Sequence, residues 1–305
     1  MNLRSTRSGF GDCLVELGSE QDNIAVITAD LRSSTKVKEF AQKFPKKFFD
    51  VGVAEQNLIG VAAGLALYGK KVFATSFACF SPAINWAQIR QSICFNGLDV
   101  VVVGSHGGLA TGPDGATHQS LEDIALMNVL PNMTIVAPAD YEQAYAATKA
   151  LFNLKTPSYL RLARPVNISF SQLKIEIEED FNLGKTQKIK SGSKATLIGY
   201  GPILPEILSM LSPRKLNTLD VFNVHTLKPF DFKPILKSVQ KTKRLMVLED
   251  HQKIGGLGSI VSYELAKEGI KCDFKHMGVD GQFGCSARNH KSLWKKMIDS
   301  LEELI

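Results

Sequence analysis

The alternation of apolar runs and amphipathic stretches over residues 4–163 predicts a first α/β domain. Short runs rich in valine and isoleucine, such as IAVITAD (24–30) and DVVVVGSH (99–106), alternate with helical patterns such as YEQAYAATKALFNL (141–154). A run such as VVVVG is uniformly apolar, which is what a strand covered on both faces requires. We therefore expect a doubly wound α/β domain over residues 1–168.

The remaining chain predicts a connector and a second, smaller α/β domain. Residues 169–192 are charged and have no clear hydrophobic period, so we expect a connector with room for an edge strand. From 193 to 305 a strand followed by a helix recurs about three times, and one of the predicted strands is TLDVFNVHTL (218–227). GGLGS (255–259) follows a strand and opens a helix. It lacks the full glycine spacing and the ribose-binding acid of a dinucleotide fingerprint, which favours a tight turn.

Composition and charge narrow the class of protein. Apolar residues make up 44% and charged residues 22% of the 305 residues, as in soluble globular proteins. The net charge of +6 is scattered, which indicates a solvated surface with some affinity for anionic ligands rather than a nucleic-acid-binding stripe. Five widely spaced cysteines without a CxxC pair predict neither disulfides nor a cysteine zinc site. With no signal-like or spanning apolar segment, we expect a cytoplasmic protein that contacts no membrane.

Candidate functional residues follow several predicted strands of the first domain, where open α/β sheets bind ligands. Asp30 lies in TADLRSS, Glu55 in VGVAEQN, and Phe77 and Phe80 in ATSFACF. Each has an ordinary structural interpretation when taken alone: a helix-capping region for Asp30, a helix-dipole partner for Glu55, and core packing for the phenylalanines. Their position is what marks them as candidates.

The most informative segment is the glycine-rich loop SHGGLATGPDGATHQSLED (105–123). It carries His106, Asp114 and His118 between a strand and a helix, and glycine-rich loops of this length are more often functional than filler. No third metal-type ligand is closely spaced with the histidines, which favours acid–base or hydrogen-bonding work over a metal site. Neither a G-x-S-x-G elbow nor a Walker P-loop occurs in the chain.

Taken in order, ADL, VAEQN, FACF and GPDGATHQ resemble the pyrimidine-binding domain of transketolase, and VLEDH followed by GGLGS resembles the transketolase C-terminal domain. The resemblance covers nearly the whole chain. Transketolases also have an N-terminal domain with a GDG…N motif for magnesium and the cofactor diphosphate, and neither DG pair of this chain has that pattern. The chain is therefore similar to the C-terminal subunit of a split transketolase.

The resemblance implies a role for each candidate residue. Glu55 would hydrogen-bond N1′ of the aminopyrimidine ring of thiamine diphosphate, Phe77 and Phe80 would stack on that ring, and Asp30 would lie near it. His106 and His118 match the histidines of the family's HxxxxxxxDGxTH loop. By resemblance, His118 bonds the donor carbonyl oxygen and Asp114 a sugar hydroxyl group.

The resemblance also implies which residues bind the anionic end of the sugar. Arg161 in YLRLARP, Arg7 and Ser34 occupy matching places, and Arg164 is a rival to Arg161 for the same role. Arginine suits this role because its planar fork forms paired hydrogen bonds with phosphate oxygens. The chain departs from the family in lacking a tyrosine three residues past Phe80, a place for which Trp86 is a candidate replacement.

From the resemblance we expect a thiamine diphosphate-dependent transferase that moves a two-carbon ketol unit between sugar phosphates. Its Mg²⁺ (or Ca²⁺) would be bound mainly by an N-terminal partner subunit, in a heterotetramer with two copies of each chain, and the C-terminal domain would serve in dimer packing. The alternatives are a subunit like deoxyxylulose phosphate synthase, a β subunit of a 2-oxo acid dehydrogenase, and a non-catalytic interaction protein.

Overall fold

A computed structural model describes residues 3–173 and 180–304 of the chain, which form two sheets flanked by helices. The described residues include all those singled out above. Part of the predicted connector, residues 174–179, lies outside the described residues.

The first sheet has seven strands: β1 (Ile24–Thr28), β2 (Phe48–Asp50), β3 (Lys71–Phe77), β4 (Val100–Ser105), β5 (Thr134–Val136), β6 (Ser158–Arg161) and β10 (Thr226–Lys228). Their order in the sheet is β10-β5-β6-β4-β3-β1-β2, and all neighbouring pairs are parallel except β10 with β5.

Helices cover both faces of this sheet, as the uniformly apolar strands predict. They are α1 (Thr6–Glu20), α2 (Lys38–Lys43), α3 (Glu55–Leu67), α4 (Trp86–Gln88), which continues as a π-helical turn over Ile89–Cys94, α5 (Asp123–Asn128) and α6 (Tyr141–Asn153). Val101 and Val103 of β4 pack in one apolar cluster with α1 and α6, whereas Val100 and Val102 pack in another with α3. The predicted doubly wound arrangement is confirmed.

The strands of the second sheet are β7 (Gln187–Lys190), β8 (Ala195–Gly199), β9 (Leu219–Asn223), β11 (Arg244–Gln252) and β12 (Asp273–Val279). Their order in the sheet is β12-β11-β8-β9-β7. The helices of this domain are α7 (Ile203–Met210), α8 (Pro213–Leu216), α9 (Lys233–Thr242), α10 (Leu257–Lys267) and α11 (Lys291–Leu304). Strand β7 is an antiparallel edge strand inside the predicted connector, and the smaller α/β domain is confirmed. None of the helices in the described part of the chain could cross a membrane.

The segment TLDVFNVHTL differs from its prediction as one strand of the second domain. Strand β9 ends at Asn223, and the chain then crosses to the first sheet, where β10 pairs with the edge strand β5 and Thr226 lies opposite Val136. The crossing is held by the N–H of Ala137, which donates to the carbonyl of His225 at 2.8 Å. The second domain thus completes the first sheet.

GGLGS forms a tight turn whose helix end is filled by the protein itself. The buried carboxylate of Glu249 accepts the N–H of Leu257 at 2.7 Å and that of Gly258 at 3.0 Å, at the start of α10. A Cβ on Gly256 would lie 2.1 Å from the same carboxylate. Because an anion already occupies this helix N-terminus, the turn does not bind the phosphates of a dinucleotide.

Candidate active site

The carboxyl ends of β6, β4, β3 and β1, which are neighbours in the first sheet, bring the sequence-predicted residues to one edge. Phe77 ends β3, His106 follows β4, and Ser34 follows β1 by a short loop. Parallel strands place their carboxyl ends on the same side of a sheet, so residues far apart in sequence meet there. We call Glu55, which begins α3 after β2, together with Phe77, Phe80, His106 and His118 the edge site.

Glu55 lies at the first position of α3 with 8% of its surface exposed. Its carboxylate faces the positive end of the helix dipole, which lowers the cost of burying a negative charge. The hydroxyl of Ser76 donates to Oε1 at 3.1 Å, and the amide of Asn85 donates to the Glu55 carbonyl at 2.8 Å. Among the described residues nothing donates to Oε2, so this oxygen can accept or share a proton with a ligand.

Four rings form one cluster beside this end of the sheet. The rings of Phe77 and Phe80 are nearly parallel, at 14°, with centroids 5.9 Å apart. His106 lies 3.8 Å from the Phe77 centroid, and His118 meets Phe80 edge-on at 5.5 Å. The fold therefore brings both histidines of the glycine-rich loop to the two phenylalanines.

His106 is buried and electrically neutral. Its Nδ1 lies 2.9 Å from the hydroxyl of Ser105, and its Nε2 lies 3.5 Å from Nη1 of Arg7. Burial, together with the nearby Arg7 and Arg164 guanidinium groups, lowers the pKa of His106 to about 2. A ring that stays neutral at physiological pH can give or accept a hydrogen bond but does not act as a cationic acid.

His118 and Asp114 lie on the more open part of the same loop. His118 is half-buried, and its Nδ1 lies 2.9 Å from the hydroxyl of Thr117. The Asp114 carboxylate lies 3.4 Å from Nη1 of Arg164. Within residues 3–173 and 180–304, no three His, Cys, Asp or Glu side chains come together in a way that could hold a metal ion.

Arg7 connects three strand ends. Its guanidinium donates to the carbonyls of Ser34 and Arg164, both at 2.6 Å, and Nη1 also approaches His106. Burial and the charge of Arg164 lower the pKa of Arg7 to about 10, so it remains protonated at neutral pH. Two cationic side chains, Arg7 and Arg164, thus lie beside Asp114.

Arg161 and Arg164, the two arginines considered for binding the anionic end of the sugar, lie in different environments. Arg161 is 5% exposed, its Nε donates to Asp123 at 2.8 Å, and its Nη2 donates to the carbonyls of Ser120 and Asp250. These bonds commit two of its three nitrogens to protein acceptors, whereas Arg164 is half-buried and faces Asp114. The geometry therefore favours Arg164 over Arg161 as a ligand for an external anion.

Two further candidate residues from the sequence are Asp30 and Trp86. Asp30 is exposed, with a left-handed φ of 58°, and its N–H donates to the Asp50 carboxylate at 2.9 Å. Trp86 is half-buried against the core, and its indole N–H donates to the carbonyl of Leu126 at 2.7 Å. The indole is therefore held by its own domain.

Two family models match the chain. The transketolase pyrimidine-binding domain matches residues 3–167, and the transketolase C-terminal domain matches residues 184–293. The chain therefore belongs to the transketolase family, and it comprises these two domains.

Its relatives include separate transketolase subunits. It is 38% identical over 288 residues to a putative transketolase C-terminal section of Methanocaldococcus jannaschii, covering 93% of this chain and 89% of the relative. It is 36% identical to the 6-deoxy-6-sulfo-D-fructose transketolase subunit of a Clostridium species, covering 91% and 85%. A solved structure described as a split gene transketolase, inactive beta4 tetramer, matches with a TM-score of 0.85 and 35% identity, covering 98% and 97%. The expected likeness to the C-terminal subunit of a split transketolase is confirmed.

Proposed function

We propose that this chain is the C-terminal subunit of a thiamine diphosphate-dependent transketolase that moves a two-carbon ketol unit from a ketose to an aldose. The observation that carries the proposal is the edge site: the Glu55 carboxylate is buried and bonded to Ser76, which directly precedes Phe77, and Phe77 lies in one ring cluster with Phe80, His106 and His118. Membership of the transketolase family implies dependence on thiamine diphosphate.

The residues of the edge site fit the aminopyrimidine part of this cofactor. A buried carboxylate with one unbonded oxygen is costly unless it shares a proton, and a pyrimidine ring nitrogen is a suitable partner. The partly exposed ring of Phe80, which stacks on the buried Phe77, offers an aromatic surface for a planar ring. When bound, the cofactor supplies the electron sink of the reaction.

The chain's own residues would bind and orient the sugars. The neutral His106 and the half-buried His118 would hydrogen-bond the reacting oxygens, and His118 would donate to the donor carbonyl. Asp114 would accept from a sugar hydroxyl group, and Arg164 would pair with a phosphate or another anion at the far end. Arg7, whose two terminal nitrogens donate to the carbonyls of Ser34 and Arg164, would add its positive charge nearby.

A partner subunit would supply the other half of each site. Apolar side chains near both ends of α3 are exposed: Val53 (82%), Leu67 (74%) and Tyr68 (84%). Phe95, after the π-helical turn, is 87% exposed. Exposed large apolar groups of this kind are typical of a subunit interface. We propose that a diphosphate-binding partner covers this surface, holds the Mg²⁺ and completes a heterotetramer with two copies of each chain.

Reconstitution tests the proposal. This chain is purified with a chain of similar length that carries the GDG…N pattern, and aldose formation from a phosphorylated ketose is measured with thiamine diphosphate and Mg²⁺. We expect product only when both chains, the cofactor and the metal are present, and light scattering should give a tetramer. Full activity of this chain alone would overturn the split-subunit proposal, and carbon dioxide release from pyruvate would favour the synthase or dehydrogenase alternative.

A further inference from the structure

We propose that Asp250 of the second domain is a positioning residue for this reaction, because its carboxylate fixes the shape of the glycine-rich loop that carries His106, Asp114 and His118. The inference rests on the proposed function. It assigns the C-terminal domain a role in the active site in addition to packing.

Asp250 reaches the loop with both carboxylate oxygens. Oδ1 accepts the N–H of Leu109 at 2.9 Å, and Oδ2 accepts the N–H of Ala110 at 3.3 Å. Both donors lie within four residues of His106. Two successive backbone N–H groups that converge on one carboxylate fix the local backbone more firmly than a single bond does, because both ends of the peptide segment are then held.

The loop is built to let this carboxylate approach closely. Gly108 has φ of 84°, in the left-handed region, and a Cβ there would lie 2.3 Å from Oδ2 of Asp250. Glycine is thus needed both for its backbone conformation and for the space it leaves. Asp250 is itself only 5% exposed, so water does not compete for its bonds.

Asp250 is held in place from the first domain. Nη2 of Arg161 donates to the Asp250 carbonyl at 2.9 Å and to the Ser120 carbonyl at 3.3 Å. The Ser120 carbonyl in turn accepts the N–H of Gly108 at 2.8 Å. The loop, Arg161 and Asp250 therefore form one connected set of bonds across the two domains.

A second segment of the C-terminal domain holds the far end of the loop. The hydroxyl of Ser286 donates to the Pro113 carbonyl at 2.7 Å, and the N–H of Ala287 donates to the Gly112 carbonyl at 3.3 Å. These carbonyls directly precede Asp114. Leu109–Asp114 forms only a short 3-10 helix that is interrupted at Gly112, so bonds of this kind fix where the side chains of the loop point.

The test compares D250N with a matched control, D220N. Asparagine keeps the volume of Asp250 but can accept only one of the two N–H groups. We expect hydrogen exchange at the amides of Leu109 and Ala110 to accelerate at least about tenfold. In the reconstituted pair of subunits, kcat should fall about 10- to 100-fold, because a catalytic group is displaced. The affinity for thiamine diphosphate should stay within about threefold of the wild-type value, because Glu55 and Phe77 lie on other elements.

The control residue, Asp220, is a buried aspartate of the same sheet that accepts a hydrogen bond from Ser238. D220N should leave loop exchange and kcat unchanged.

A second variant, S286A, alters an exposed residue and keeps the test decisive if D250N does not fold. It should accelerate exchange in residues 109–115 and lower kcat less than D250N does. A folded D250N or S286A variant with wild-type loop exchange, or with wild-type kcat despite faster exchange, would overturn the inference. Exchange is measured in the chain itself, whereas a wild-type pair without ketol transfer would overturn the proposed function. The two failures can therefore be told apart.

Discussion

Nε of Arg161 lies 2.8 Å from Oδ2 of Asp123, and both side chains are almost completely buried. The hydroxyl of Tyr159 donates to the same oxygen at 2.7 Å. This ion pair joins the end of β6 to the start of α5 and also supports Asp250. Arg161 is thus part of the framework behind the edge site.

Replacing Arg161 should therefore lower stability. R161M leaves the Asp123 carboxylate buried without its cation, and loss of one member of a buried pair costs about 3–5 kcal/mol. Urea unfolding measures the change. In the control R32M, an exposed arginine loses a 3.3 Å contact with Asp50, and the cost should be about 0–1 kcal/mol. Equal effects of the two substitutions would contradict this assignment.

Replacing Arg164 should instead affect substrate binding. A hydrogen bond to a charged group contributes about 1.5–3 kcal/mol, so R164M should raise KM for a phosphorylated ketose roughly 10- to 100-fold. The KM for the unphosphorylated ketose should change little. Steady-state kinetics with both substrates makes the comparison, and an equal loss with both would show that Arg164 does not bind the anionic end.

His118 should matter for turnover rather than for folding. H118A should lower kcat by about 10²–10⁴ if the ring transfers or holds a proton in the transition state. The matched control is H290A in the second domain, which should leave kcat near that of the wild-type chain. An unchanged kcat in H118A would show that His118 has a structural role only.

His225 predicts a measurable pH dependence of stability. The ring is fully buried, its Nε2 has no hydrogen-bond partner among the residues that the structure describes, and burial lowers its pKa to about 4, from an ordinary value near 6.5. The unfolded chain binds the proton more tightly, so the stabilising contribution is present above about pH 6.5 and is lost as the pH falls towards 4.

The comparison is between the wild-type chain and H225F. Over this range the free energy of unfolding of the wild-type chain should fall by up to about 1.4 kcal/mol per pH unit more than that of H225F. Asp140, whose pKa burial raises to about 6, acts in the opposite direction but equally in both proteins, so it cancels. Urea unfolding at several pH values measures the difference, and parallel curves would contradict the argument.

Local patterns were sufficient to predict the parallel strands of the first sheet, because uniformly apolar runs must be covered on both faces. The convergence of Phe77, Phe80 and His118 was expected from the positions of the strand ends together with the resemblance to transketolase, and not from local patterns alone. Strand β10 and the partners of Arg161 could not be predicted in this way. Arg161 bonds to residues 38 and 89 positions away, and no local pattern encodes contacts of that range.

Glu55 carries the central claim, and the most direct test is the exchange of the C2 proton of thiamine diphosphate with deuterium in the assembled pair. E55Q keeps the shape of the side chain but removes the carboxylate that would share a proton with the ring. The matched control is E142Q, in the first turn of α6. We predict exchange at least about 10² slower in E55Q than in the wild-type pair, with the cofactor still bound and E142Q unaffected. Equal exchange rates in E55Q and the wild-type pair would contradict the account.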